Sequence, residues 1–436
     1  MSLVLMPAER HAAAGTRCGR RAAILRASRP GRTVGHRGGA RAVLAGGILA
    51  AVLGMTSRAA GGSLSDVFQQ PRFARLGLAP IGPVLAATVA DTYPVASASS
   101  SIVYTYDPTI DAPVLRPGLP GPIFGERAET IGQGRLDLTA SYSFVRLATI
   151  NGEPLDDLVN QRTVGSRFLF FKVSGGAMLK DGRFTTVLPV HATVDIGVDA
   201  HILSASLTYG VTPDLDVNVT LPVIRTSLDL QTTSIVPDPR FPSFALKRGS
   251  PLAGTDVLSA SADSAGVGDL LLRAKYIVRR GAPADIALGL GLSLPTGSAD
   301  DFQGTGTTRV LPGVIASRVL GNRVELLANV GMELDASDVG RSAVRWAVGG
   351  TISLLPERLA APIVFLGRHE IGAPAEPIPV PFFFQIERSD AVDASVGLRW
   401  RFFETALLSA NALVPMNRSS GLRANVVPTV NVEWRF

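Results

Sequence analysis

Cysteine is nearly absent from this chain: Cys18 is the only one in 436 residues, and it sits in an arginine-rich N-terminal stretch. Without thiols, the rest of the chain can form no disulfide, iron–sulfur cluster or thiolate metal site. Charge is also sparse, at 18% Asp, Glu, Lys and Arg, and the mean hydropathy is +0.26. Yet no run of about 20 apolar residues exists, which excludes a bundle of membrane-spanning helices. Past residue 60 the histidines are His191, His201 and His369. None stands in a His-Glu-x-x-His spacing, and there is no Gly-x-Ser-x-Gly elbow or glycine-rich phosphate loop. No cofactor or metal is expected. An enzyme would have to assemble Ser, His and an acid from separate strands.

The sequence pI of 9.8 at first suggests a nucleic-acid or membrane-surface partner. The charge is unevenly placed, however. Residues 1–60 hold ten arginines and one acid, Glu9, so they carry +9 while the whole chain carries +6. The remainder is mildly acidic, which removes the support for a nucleic-acid partner. After Arg41 comes a short apolar stretch, Ala42 to Met55, and then Ser57, Ala59 and Ala60. A basic region, a short apolar core and small residues read as a secretory signal peptide within residues 1–60. Residues 76–90 read either as a second signal candidate or as an apolar linker, with Pro80 and Pro83 against an apolar helix. Residues 61–134 form a Pro- and Gly-rich N-terminal segment. Its part from 99 to 134, with Pro108, Pro113, Pro117, Pro120 and Pro122, reads as a linker without regular structure.

Glycine (45), valine, threonine and serine are plentiful, a composition that favours strands. From Arg135 onward the apolar residues recur every second position. Leu136, Leu138, Ala140, Tyr142 and Phe144 oppose Asp137, Thr139, Ser141 and Ser143. Val217, Val219, Leu221 and Val223 oppose Asp216, Asn218 and Thr220. Val392, Ala394, Val396, Leu398, Trp400 and Phe402 oppose Asp393, Ser395, Arg399 and Arg401. A helix would scatter such residues around its circumference. A soluble sandwich also alternates, but its polar face is usually rich in Lys and Glu; here that face is small, hydroxylic and sparsely charged. Twelve alternating segments can be counted, at about 135–147, 198–210, 215–230, 267–279, 284–294, 309–319, 324–333, 344–354, 359–367, 391–402, 405–414 and 424–436. Short turns, such as Thr212 to Asp214, alternate with longer loops at about 148–197, 232–265, 295–308, 334–343, 368–390 and 415–423. The pattern predicts an all-β chain: a transmembrane antiparallel β-barrel of about 12 strands over residues 135–436. No plug domain of the size used by active receptors is visible.

The last segment places Val430, Val432, Trp434 and Phe436 on one face and Asn431, Glu433 and Arg435 on the other. This amphipathic strand ending in Phe436 resembles the insertion signal of Gram-negative outer-membrane proteins. It implies outer-membrane lipid and the barrel-insertion machinery as partners, and export to the outer membrane as destination.

Five further patterns carry a family resemblance. Residues 124–138, beginning Phe124-Gly-Glu-Arg-Ala-Glu-Thr-Ile-Gly, and the block Val211-Thr-Pro-Asp-Leu-Asp-Val-Asn-Val-Thr-Leu-Pro-Val223 are two of them. Gly268 to Tyr276, Leu294 to Gly297 and Leu422 to Val430 complete the set. Together, over roughly residues 120–436, they resemble the family called putative MetA-pathway of phenol degradation. The resemblance implies an outer-membrane transporter for hydrophobic or aromatic small molecules. It supplies no catalytic residues.

The candidate lumen residues are Asp137, Asp216, Asp269, Arg273, Lys275, Glu325, Arg345, Asp393, Arg399 and Arg401, all on polar faces. They either fill the barrel as a cross-strand ion-pair network or line a pore and set its selectivity. Phe168, Phe170 and Phe171 in the first long loop, and Phe382, Phe383 and Phe384 in the fifth, either capture a greasy solute or pack on one another. Tyr142, Tyr276, Trp346, Trp400 and Trp434 suit the membrane interfaces. The sequence thus points to a channel for small hydrophobic or aromatic molecules. A non-transporting structural barrel and an outer-membrane hydrolase are the alternatives.

Overall fold

The computed structural model describes residues 62–74, 78–94, 97, 104–107, 112–115, 121–157, 169–172, 187–237, 253–321, 323–372 and 389–436. The strands, in chain order, are β1 (Tyr104–Asp107), β2 (Ala112–Leu115), β3 (Leu136–Ile150), β4 (Glu153–Pro154), β5 (Leu169–Lys172), β6 (Val187–Gly210), β7 (Leu215–Pro237), β8 (Ala253–Val267) and β9 (Leu270–Arg279). They continue with β10 (Asp285–Leu294), β11 (Arg309–Leu320), β12 (Val324–Asp335), β13 (Ala343–Leu355), β14 (Leu359–Glu370), β15 (Ala391–Phe403), β16 (Ala406–Pro415), β17 (Leu422–Ala424) and β18 (Val427–Arg435). Among the described residues, twelve of these close a ring. The order runs β3-β6-β7-β9-β10-β11-β12-β13-β14-β15-β16-β18, and β18 pairs back onto β3. Every neighbour is antiparallel. Closure leaves the ring of twelve without an edge strand, which a membrane requires because unpaired backbone groups find no partner in hydrocarbon.

The period-two pattern decides which face meets which medium. Leu290, Val330, Val348, Leu398 and Trp400 all point outward and are exposed. The opposite parity, including Asp137, Asn218, Glu325, Arg399 and Glu433, is buried. An exposed belt of large apolar side chains around a polar interior is stable in lipid and costly in water. Tyr142, Tyr276, Trp400 and Trp434 stand on this outer face, as the alternation predicts. Trp346 does too, its ring lying over Gly367 and stacked on His369 at 6.4 Å.

Two prolines interrupt the ladders because they carry no N–H. Between β11 and β12 the pairing passes from Val310–Leu334 to Gly313–Gly331, skipping Pro312. Between β14 and β15 it passes from Ala360–Arg399 to Ile363–Val396, skipping Pro362.

The loop bounds read from sequence need correction. β6 and β7 are 24 and 23 residues long, about twice the 9–11 residues that cross a bilayer. β6 takes up part of the expected loop 148–197. β7 and β8 take up most of the loop expected at 232–265, pairing from Val223–Val267 out to Pro237–Ala253. The pairing continues because the alternation itself continues, through Asp229, Leu230, Gln231 and Thr232 on β7. The hairpins therefore stand well beyond the membrane at the long-loop end.

The N-terminal segment departs further from the expectation. Residues 76–90 contain a helix, Ile81–Thr88, preceded by a short helix, Pro71–Ala74, and a single 3-10 turn, Ser65–Gln69. Within the stretch read as an unstructured linker, β1 and β2 pair with each other. Residues 121–135 are irregular in backbone but packed, and they lie inside the barrel. Residues 1–60, where the leader is expected, lie outside the described residues. So do Phe168, Phe382, Phe383 and Phe384; of Phe170 and Phe171 only the strand β5 is described.

Candidate functional site

The interior of the barrel divides into two levels. At the short-turn end the inward residues are polar, and residues 121–135 thread between them. Entry is tight. A Cβ on Gly210 would fall 1.9 Å from the carbonyl oxygen of Gly132, so only glycine admits the segment here. Gly132 and Gly134, at φ 92° and 71°, supply the left-handed turns that lead from the lumen into β3.

From there the wall holds the segment by hydrogen bonds to its backbone. Asp216 accepts from the Ile131 N–H at 3.0 Å. Lys275 Nζ donates to the carbonyls of Glu129 and Arg127, at 2.7 and 3.1 Å. Ser317 Oγ accepts from Ala128 N–H at 3.0 Å. Asn329 both accepts from the Glu126 N–H, at 2.7 Å, and donates to its carbonyl, at 2.8 Å. Arg399 donates to the carbonyl of Gly121 and pairs with Glu433 at 3.1 Å. The central contact is Arg127 on Glu325: Nε to Oε1 at 3.0 Å and Nη2 to Oε2 at 2.6 Å, with both side chains buried. Such a two-pronged match of guanidinium to carboxylate offsets the desolvation of both charges.

At the long-loop end the inward parity turns apolar. Val145, Leu147, Ile196, Val198, Leu228 and Leu230 face the helical part of the N-terminal segment and share one core with its Phe68, Phe73, Leu78, Leu85 and Val89. Contacts that fix this part to the barrel wall and loops include Ser65 N–H to the Asp300 carbonyl at 3.0 Å, Leu64 N–H to Asp301 Oδ1 at 3.2 Å, Arg341 Nη2 to the Ala87 carbonyl at 2.9 Å, and Tyr93 Oη to the Phe302 carbonyl at 2.7 Å. Burial pushes the Tyr93 phenol far above its ordinary pKa, so it stays a neutral donor. Between the two levels lies an ion-pair cluster. Asp91 meets Arg309 at 2.5 Å and Arg368 at 3.5 Å, and Glu333 meets Arg309, Arg345 and Arg368 at 2.5, 3.1 and 3.3 Å.

The residues singled out from sequence fall as follows. Asp137 pairs with Arg435 at 3.2 Å, Asp393 with Arg423, and Lys275 stands 3.9 Å from Asp216. Arg273 meets Glu126 at 3.3 Å. Arg401 shares the inward parity of Arg399. Asp269 sits between β8 and β9 rather than mid-strand. Its carboxylate accepts from Gly297 N–H, Thr305 N–H and Thr305 Oγ1, so it ties down the loop after β10. Sequence reasoning missed Arg127 and Glu333, which meet Glu325 and Arg345, and also Asp91, Arg309 and Arg368 of the ion-pair cluster and Asn329 on the Glu126 backbone. A signal was present for the segment around Arg127, since the family-like pattern starts at Phe124, ahead of the first strand.

Space remains around the segment. A cavity of about 310 Å³ opens between it and the wall, lined by Tyr93, Phe124, Leu271, Arg273, Ile315 and Arg345 among others. A second, of about 140 Å³, lies towards β3, β6 and β7, lined by Ser141, Ser204, Thr220, Arg273, Arg309 and Arg345 among others. Asp91, Tyr93, Pro94 and Ser97 border both, so this stretch of the N-terminal segment separates them. Of the histidines, His201 faces outward and meets the Tyr142 hydroxyl at 2.8 Å; His369 lies 3.5 Å from Asp390. Among the described residues no group of His, Cys, Asp and Glu could hold a metal ion.

Solved barrels similar to this chain include an outer membrane channel from Pseudomonas putida F1, with 14% identity over 71% of this chain and 98% of that one, at a TM-score of 0.41. The CymD monoaromatic hydrocarbon channel matches at 10% identity over 70% and 89%, TM-score 0.33. The toluene transporter TbuX of Ralstonia pickettii matches at 11% identity over 71% and 92%, TM-score 0.30. No curated protein matches the chain. Residues 175–351, from ahead of β6 through most of β13, match the family described as Putative MetA-pathway of phenol degradation, the family the sequence resembles.

Proposed function

We propose that the protein is an outer-membrane channel for small, hydrophobic or aromatic molecules, exported by a leader within residues 1–60. The observation that carries this reading is the cavity of about 310 Å³ inside a lipid-facing barrel, bordered by apolar and charged side chains together. That size falls within the ~300–1,000 Å³ typical of small-molecule sites. The family match, whose description names phenol degradation, supports the solute class. The ten inward charges then act mainly through their partners. Half of them hold the N-terminal segment, and Arg273 and Arg345 border open space.

A structural barrel is the second reading, and the observation in its favour is the N-terminal segment itself, which occupies much of the lumen. Passage would need the gaps beside that segment, or its displacement. Purified full-length protein in a planar bilayer separates the readings. Stable conductance that rises when residues 62–97 are deleted supports the channel. A silent bilayer for both proteins would leave the structural barrel.

A further inference from the structure

The lumen arginines differ in how completely they are used. Arg127, Arg309, Arg368, Arg399, Arg423 and Arg435 have side chains 2–8% exposed, each held against a carboxylate. Arg345 is 34% exposed. Its ion pair runs from Nε to Glu333 at 3.1 Å, and among the described residues its terminal amino groups donate no hydrogen bond. Arg273, on β9, borders the same two cavities as Arg345, on β13. It meets Glu126 at 3.3 Å and donates to Thr220 Oγ1 at 3.2 Å.

The acids around the larger cavity are already engaged. Asp91 is held by Arg309, Glu126 by Arg273, Asp216 by Lys275 and the Ile131 N–H, and Asp393 by Arg423. Of the charged side chains facing this space, Arg345 is the most exposed. Apolar side chains line the same space: Phe124, Leu271, Leu311, Ile315 and Ala347. They suit a flat hydrocarbon ring, and Arg345 suits an anion that a guanidinium can grip with two parallel N–H groups.

We infer that Arg345, with Arg273 beside the same space, forms a subsite for the anionic group of a monocyclic aromatic solute, a carboxylate or phenolate, whose ring lies on Leu271, Leu311 and Ile315. This rests on the channel reading and narrows it from neutral hydrocarbons to ring-bearing anions. Glu126, a carboxylate of the protein itself, already shows how Arg273 takes such a group.

The test uses the full-length protein in detergent, with benzoate and its neutral counterpart of similar shape, benzamide, as probes. Calorimetric titration is expected to show benzoate binding at least tenfold more tightly than benzamide, and more weakly as salt rises. Arg345→Gln should abolish that preference and leave the affinity for benzamide unchanged. Arg345→Lys should restore part of it, since the charge returns without the fork. Equal affinities in the unaltered protein, no benzoate binding, or a preference that survives Arg345→Gln would each overturn the subsite. Planar-bilayer conductance, recorded on the same preparations, tests the channel reading separately. Conductance without benzoate preference removes the subsite alone, and binding without conductance removes the channel alone.

Discussion

The two ends of the N-terminal segment meet the same barrel in opposite ways. Residues 121–135 lie among polar groups and are held by directed bonds: Arg127 on Glu325, Lys275 on two carbonyls, Asn329 on both backbone groups of Glu126. Residues 64–89 lie against the tall hairpins and are held by packing of Phe68, Phe73, Leu85 and Val89 on Val145, Ile196 and Leu228. Directed bonds fix register and fail abruptly when one partner goes. Packing is non-directional and weakens in proportion to the area lost. The first is a lock and the second a cushion.

Breaking the lock should have the largest effect. Glu325→Ala leaves the Arg127 guanidinium buried without its carboxylate and should cost about 3–5 kcal/mol. The unfolding midpoint in detergent micelles measures this, and pairing the change with Arg127→Met should recover much of the loss. If the single variant unfolds like the unaltered protein, the lock is unimportant. Thinning the cushion comes next. Leu85→Ala should cost about 3 kcal/mol from transfer and cavity terms, with the proteolytic sensitivity of residues 62–94 rising and that of the barrel strands unchanged. Cleavage spreading into the barrel would show that the two levels are not separable. Asn329→Ala removes two bonds to Glu126 and leaves that backbone amide without its acceptor, for a loss of about 1–3 kcal/mol. Hydrogen exchange at the Glu126 amide should speed up while exchange at Ile131, held by Asp216, does not.

The smallest effect is predicted for a pair of nearly the same geometry. Arg146 meets Asp199 at 2.8 and 2.6 Å, as two-pronged as Arg127 on Glu325, but on the exposed outer side of the hairpins. Arg146→Ala should change stability by no more than about 1 kcal/mol, and a double-mutant cycle with Asp199→Ala would measure the coupling. A coupling as large as that of Arg127 with Glu325 would show that burial is not what separates them.

The wall was legible in the sequence and its contents were not. Leu398 and Arg399 differ by one position, and on a strand that alone decides lipid or lumen. The strand count and the inward parity of Asp137, Glu325 and Arg399 followed from that rule. The loops around 148–197 and 232–265 came out too long because outer hairpins beyond the membrane carry the same alternation more faintly, with Asp195, Asp229 and Asp263 among the apolar positions. Residues 121–135 read as linker because they have neither period two nor period 3.6; their order comes from side-chain bonds with residues 83 to 278 positions away.

What the sequence determined by itself is which side of each strand faces lipid, and hence a closed barrel, since the side-chain period of a strand is a local property of the backbone. What the tertiary structure decided is the state of the interior. Whether Arg399 is part of a pore lining or a clamp on Gly121, and whether Arg345 is neutralised or left open to a solute, depends on which distant segment enters the lumen. Charge pairing acts through space rather than along the chain, so no local pattern could record it.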